Sequence, residues 1–113
     1  MAYEDHIYDQ TNPTGNTYSK RISMKRASLF SLHIEYGALT GTITLWQSNK
    51  ADPDPDSDTD WIQNTDVTFD ALSGSGSSQF INAGNAAARY YKVKYAHTSG
   101  TGDLDIWIHV CEA

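Results

Sequence analysis

The chain has 113 residues, a length that suits one domain with a core large enough to need no disulfide staples. Its formal net charge of −6 disfavours a general nucleic-acid binder, because neutralising phosphates needs clustered Lys and Arg. Cys111 is the only cysteine, which excludes an intrachain disulfide, and we expect neither a signal peptide nor a transmembrane helix because no long apolar stretch occurs.

Residues 1–19 show no clear periodicity and contain the turn-forming residues Pro13 and Gly15. Two interpretations stay open: a floppy terminus, or an arm that becomes ordered on a neighbouring subunit. The second is suggested by side chains that are costly to expose to water, namely Tyr3, Ile7, Tyr8 and Tyr18. We therefore predict an extended N-terminal arm over 1–19, followed by a single domain over 20–113.

Half of the eight basic residues lie between positions 20 and 26. They are Lys20, Arg21, Lys25 and Arg26. The favoured interpretation is the outer face of a first strand. The alternative is an electrostatic dock for an acidic partner surface.

Alternating side chains predict two strands, over 28–36 and 42–48, with a turn over 37–41. The inward residues would be Phe30, Leu32, Ile34 and Tyr36 in the first strand and Ile43 and Leu45 in the second. Trp46 would then point outward, either under a loop or towards a partner.

The segment 51–60, ADPDPDSDTD, is predicted to be a loop, because its prolines exclude a helix and break any ladder. Its aspartates are Asp52, Asp54, Asp56, Asp58 and Asp60. Alternating aspartates suggest a Ca²⁺ site, but no register places the glycine and the bidentate acid that an EF-hand requires. A solvated acidic loop is the favoured interpretation, with a low-affinity Ca²⁺ site as the alternative and no other cofactor expected.

The segment 89–110, RYYKVKYAHTSGTGDLDIWIHV, is predicted to be a β-hairpin with its turn over 97–102, where two glycines can take positive φ. Its buried face would hold Tyr91, Val93 and Tyr95 in one arm and Leu104, Ile106, Ile108 and Val110 in the other. The wetter face would hold Tyr90, Lys92, Lys94 and Trp107, which together with Trp46 suggest an interface. The alternative is ordinary cross-strand pairing on a solvated sheet.

Six to eight short strands separated by turn signals predict an all-β fold, an antiparallel β-sandwich or jelly roll. We expect no catalytic residue, because no serine lies in a nucleophile motif and no phosphate-binding loop occurs. The histidines, His6, His33, His97 and His109, are interpreted as surface residues, because they show no zinc-ligand spacing.

Four short features stand out along the chain: GTITLWQSN at 41–49, Trp61 after the next loop, RYYKVKY at 89–95 and TSGTGDL at 98–104. Together they resemble the motifs of small β-sandwich proteins of tailed-bacteriophage virions. The likeness spans residues 28–110. The acidic loop and the N-terminal arm depart from the group.

The resemblance implies a structural virion protein, with a decoration (cement) protein, made in the host cytoplasm and placed on the capsid surface, as the first candidate. Its partners would be the major capsid protein and further copies of itself, a trimer being the first candidate. The interface would include Tyr3, Tyr8, the four basic residues of 20–26 and the outward face of the hairpin. The alternatives are a carbohydrate-binding module that uses Trp46, Trp61 and Trp107, and a tail or neck connector.

Overall fold

The computed structural model describes residues 2–24 and 28–112, which form eight β-strands and no helix. The strands are β1 (Ala2–Thr11), β2 (Asn16–Tyr18), β3 (Ile22–Ser23), β4 (Ser28–Ser48), β5 (Ile62–Asn64), β6 (Leu72–Ser73), β7 (Ser77–Ala86) and β8 (Tyr90–Glu112). All pairings between them are antiparallel, which confirms the predicted all-β antiparallel class. A membrane-spanning helix is absent from this described part of the chain.

The two long strands, β4 and β8, pair with each other along their whole length, from Ser28 opposite Glu112 to Ser48 opposite Tyr90. At one end of this ladder, β1 extends the sheet beyond β8 and β7 extends it beyond β4. At the other end, β2 and β3 pair with β8, while β5 and β6 pair with β4. We call the first end, with order β1-β8-β4-β7, half-sheet A, and the second end half-sheet B.

The predicted turns at 37–41 and 97–102 are wrong, because β4 and β8 each run through these positions as continuous strands. The arms of the predicted hairpin pair with β4 and not with each other. Bulges between Tyr36 and Ala38 and between Thr40 and Gly41 bend the ladder at this point. The glycines therefore form a corner in a continuous ladder, a role that local sequence does not distinguish from a hairpin turn.

The glycine corner is sterically tight, because the backbones of β4 and β8 approach each other closely. A Cβ at Gly37 would lie 3.1 Å from the Cα of Gly102. A Cβ at Gly100, whose φ is +87°, would collide with the carbonyl oxygen of Ala38. Only glycine gives both the conformation and the space that this bend requires.

The bend turns the inner faces of the two half-sheets towards each other, so that they share one core. Phe30 of half-sheet A and Tyr91 of half-sheet B meet with ring centroids 5.0 Å apart. The side chains predicted to point inward from β4 and β8 are buried, with Tyr36 half-buried. A sandwich-like packing of two layers results.

The N-terminal segment forms part of the sheet from Ala2 onwards and is not an arm. β1 pairs with β8 from Ala2 opposite Cys111 to Thr11 opposite Asp103, and β2 and β3 pair with β8 further along. Ile7 and Tyr8 are buried in the core, and Tyr8 forms a hydrogen bond with Thr17. The open edge of β8 supplies backbone partners for this segment, so its apolar side chains are covered within the same chain.

The glycine corner predicts unequal effects for two otherwise similar substitutions. Gly84 has a φ of +75°, close to that of Gly100, but its Cβ would meet nothing within 4 Å. Gly84→Ala should therefore cost only about 1–2 kcal/mol of unfolding free energy from its left-handed backbone. Gly100→Ala should cost roughly 1–3 kcal/mol more, because it also overpacks the corner. Urea unfolding of both variants measures the difference, and equal losses would contradict the corner.

The buried Tyr8 hydroxyl predicts loss of stability at alkaline pH. Burial raises the pKa of Tyr8 from 10.0 to about 12. The folded state thus holds this proton more tightly than the unfolded state, so the contribution is complete below pH 10 and is lost between about pH 10 and 12. The stability lost over this range is at most 2.7 kcal/mol or so, which corresponds to a pKa raised from 10.0 to about 12. Urea unfolding across this range should show a shallower loss for Tyr8→Phe than for the wild type; equally steep losses would exclude Tyr8 as the cause.

Candidate functional site

The outer faces of the two half-sheets differ in what covers them. On half-sheet B, the acidic loop (residues 51–60) folds back over the strands and buries Pro53 and the adjoining Trp61. The indole nitrogen of Trp61 donates a hydrogen bond to the carbonyl oxygen of Asp54 at 2.8 Å. The loop is therefore packed on the sheet through its backbone and its prolines.

Lys92 anchors the acidic loop to half-sheet B. Its Nζ donates hydrogen bonds to the carbonyl oxygens of Pro55, at 3.1 Å, and of Ser57. The ammonium group also lies 4.1 Å from the centre of the Tyr18 ring and 4.7 Å from that of Trp61. Burial lowers the pKa of Lys92. The prediction that Lys92 lies on a wet face is wrong, because the loop covers it completely.

Three aspartates of the loop form ion pairs with cations of the same chain. Asp52 pairs with Arg21 at 2.6 Å, Asp58 with Lys94 at 2.7 Å and Asp60 with Lys50 at 3.0 Å. The hydrogen bond from Lys94 lowers the pKa of Asp58. These carboxylates point to three separate cations, and among the described residues no three of the five aspartates gather as metal ligands would. The loop geometry thus gives no support to the Ca²⁺ alternative.

Five of the eleven predicted interface residues lie together on half-sheet B, where the chain itself already contacts them: Arg21, Trp46, Tyr90, Lys92 and Lys94. The Arg21 guanidinium lies 5.0 Å from the centre of the Tyr90 ring, and Lys94 lies 5.3 Å from that of Trp46. Lys20 pairs with Asp5 at 3.1 Å. Of the other predicted residues, Tyr8 lies in the core, Lys25, Arg26 and the Tyr3 side chain lie outside the described part of the structure, and Trp107 lies on half-sheet A.

The outer face of half-sheet A carries a row of aromatic and imidazole rings, one from each of its four strands. We call His6, Trp107, His33 and Phe80 the aromatic row. The register places His6 opposite Trp107, Trp107 opposite His33, and His33 opposite Phe80. His6 stacks on Trp107 with centroids 4.7 Å apart and planes at 10°. His33 meets Trp107 and Phe80 edge-on, with centroids 5.5 and 6.5 Å apart.

The aromatic row is partly open to solvent, since His33 and Phe80 are exposed and His6 and Trp107 are half-buried. Phe80 is 66% exposed, although phenylalanine is normally a core residue. A shallow groove of about 430 Å³ runs beside the row and is lined by Ser31, His33, Glu35, Phe80, Trp107 and His109, among others. An exposed aromatic surface of this kind is typical of a site that binds a partner.

Carboxylates line one side of the aromatic row. Asp105 lies opposite both Asp9 and Glu35 in the sheet register. The Nε2 atom of His6 lies 3.0 Å from Asp105, and that of His33 lies 3.0 Å from Glu35. The face therefore combines an apolar centre with an acidic border.

Sequence reasoning found Trp107 but not the rest of the row as a site. His6 was missed because residues 1–19 lack a regular alternation, and a bulge between His6 and Tyr8 explains that irregularity. Phe80 stands between polar residues at 78 and 82, which are exposed like Phe80 itself. That alternation was the available signal that Phe80 faces solvent.

Comparison with known proteins finds no family model and no curated protein that matches this chain.

The anchoring role of Lys92 predicts that its removal releases the acidic loop. Lys92→Met keeps the length of the side chain but leaves two carbonyl oxygens without their charged donor, at an expected cost of about 1.5–3 kcal/mol. The matched control is Lys50→Met, whose exposed pair with Asp60 should contribute less than about 1 kcal/mol.

Urea unfolding compares the two lysine variants, and tryptophan emission should shift to the red in Lys92→Met as Trp61 becomes hydrated. Equal stability of the two variants, with unchanged emission, would show that Lys92 does not hold the loop.

Proposed function

We propose that the protein is a structural component of a tailed-bacteriophage virion, a decoration protein that binds the major capsid protein through the aromatic row. The observation that carries this proposal is the uncovered row of rings on half-sheet A. The motif resemblance in residues 28–110 supplies the virion context, and the ring surface supplies a means of attachment.

The aromatic row has the physical properties of an interface core. Aromatic side chains are enriched in such cores and often dominate the binding energy. Here they stand on four hydrogen-bonded strands, so little conformational freedom is lost when a partner covers them. Transfer of the exposed Phe80 ring from water to a partner pocket would contribute most of the hydrophobic gain.

The acidic border suggests the chemistry of the partner surface. Asp9, Asp105 and Glu35 lie beside the row, and the chain carries a net charge of −6. A matching surface on the capsid protein would present an apolar pocket with Lys or Arg at its rim. Charge complementarity of this kind raises the association rate and selects against wrong partners.

The edges of half-sheet A favour self-association on the capsid. β1 and β7 are its outermost strands, and exposed edge strands are sites where further chains can pair. Closed symmetry, such as that of a trimer, would cover these edges. The proposed location is therefore the outer capsid surface, with copies of the protein arranged around a symmetry axis.

The carbohydrate-binding alternative receives less support from the tryptophans. Trp61 is buried, the Trp46 ring faces Lys94, and one face of Trp107 is stacked on His6. A sugar platform needs an open ring face, and only the remaining side of Trp107 could offer one. A tail or neck connector would use the same docking chemistry, and electron microscopy of labelled particles separates that location from the head.

The docking role of the aromatic row predicts different effects of two surface charges. Phe80→Asp should abolish binding to undecorated capsids, because it replaces the most exposed apolar ring of the row by a carboxylate. Ile62→Asp is the matched control: Ile62 is 72% exposed but lies on β5, in half-sheet B. This variant should bind and raise the capsid disruption temperature as the wild type does.

Cosedimentation and thermal disruption of the capsids measure both variants. Retained binding by Phe80→Asp would exclude the row as the docking site. Failure of the wild type to bind any capsid, together with its absence from purified virions, would exclude the decoration role. Glycan-array binding that is lost in Trp107→Ala would favour the carbohydrate alternative.

A further inference from the structure

We propose that His6, Asp9 and Asp105 form a binding site for a divalent transition-metal ion of the zinc class, at the β1 edge of half-sheet A. One ligand atom from each residue lies within 4.8 Å of the others. One imidazole and two carboxylates make a donor set that Zn²⁺ and Co²⁺ accept, with water completing the coordination. This site is independent of the acidic loop and does not depend on the docking role of the aromatic row.

A β-bulge creates the cluster. Residues three apart in a regular strand point to opposite faces, so His6 and Asp9 would normally not meet. The register, however, shifts between His6, opposite Trp107, and Tyr8, opposite Ile106. Ile7 and Tyr8 are consequently both buried, and Asp9 returns to the outer face on which His6 lies. Bulges of this kind often redirect side chains beside functional sites.

The charges of the cluster favour a cation. Asp9 lies directly opposite Asp105, and like charges in this position destabilise a sheet. Among the described residues, Asp105 pairs only with His6, and Asp9 takes part in no ion pair with Lys or Arg. A divalent ion between the two carboxylates would convert this repulsion into attraction.

Small side-chain movements would bring the three ligand atoms to the separations that a metal site requires. Bonds of about 2.0–2.2 Å in a tetrahedral site separate ligand atoms by roughly 3.4 Å. His6 Nε2 and Asp105 Oδ1 are 3.0 Å apart, so these two atoms need only a slight separation to admit an ion between them. The His6 ring is held by stacking on Trp107, and Asp9 is exposed and able to rotate towards it. The fourth position would face solvent or a partner.

Titration of the full chain with Zn²⁺ and Co²⁺ tests the site. Zn²⁺ should raise the melting temperature, and Co²⁺ should quench Trp107 fluorescence, because its ligand His6 stacks on that indole. The difference in quenching between the wild type and Trp107→Phe isolates the signal of Trp107. Asp9→Asn should weaken binding by at least about tenfold, since it replaces a charged ligand by a neutral one.

The matched control is Asp56→Asn, which removes an exposed carboxylate from the acidic loop and should leave metal binding unchanged. Asp9 is also exposed, so its substitution should leave folding in the absence of metal intact. Wild-type affinity in Asp9→Asn, loss of binding in Asp56→Asn, or no response of the wild type to either ion at millimolar concentration would each overturn the proposed site.

Discussion

The bent hydrogen-bond ladder between β4 and β8 is the constraint on which the rest of the structure depends. Its register places every inward side chain of the two long strands, and its glycine corner turns one half-sheet onto the other. Without the bend, the apolar faces of the halves would each lie open to water. With it, one chain of modest length closes a two-layer core from side chains such as Phe30 and Tyr91.

The two outer faces then take on different roles. On half-sheet B, Lys92 draws the acidic loop over the strands, and the loop aspartates pair with cations beside it. The cationic and aromatic residues of that face are thereby used to hold the fold together. On half-sheet A none of the described residues covers the aromatic row in this way, so exposed rings and carboxylates remain available. Exposed aromatic side chains that do not contribute to the core are candidates for contact with a partner protein.

The alternation of apolar and polar residues along the sequence predicted much of the hydrophobic core but few residues of the candidate functional site. Alternation along 28–48 and 90–110 identified buried residues such as Leu32, Leu45 and Ile106, because side chains of a strand point to alternate faces whatever the strand pairs with. It could not show that Gly100 bends a continuous strand, because a hairpin turn also uses glycine. Nor could it place Lys92, since burial of a lysine depends on a loop more than thirty residues away in the sequence.

The sequence by itself determined the all-β class and the inward faces of the long strands, because both follow from the spacing of neighbouring residues. Tertiary structure alone decided which strands pair, which outer face is covered, and which side chains share a row or a cluster. The meeting of His6 with Asp105, nearly a hundred positions apart, depends on strand register and on one bulge. Register is a property of two strands together, and no periodicity within either strand specifies it.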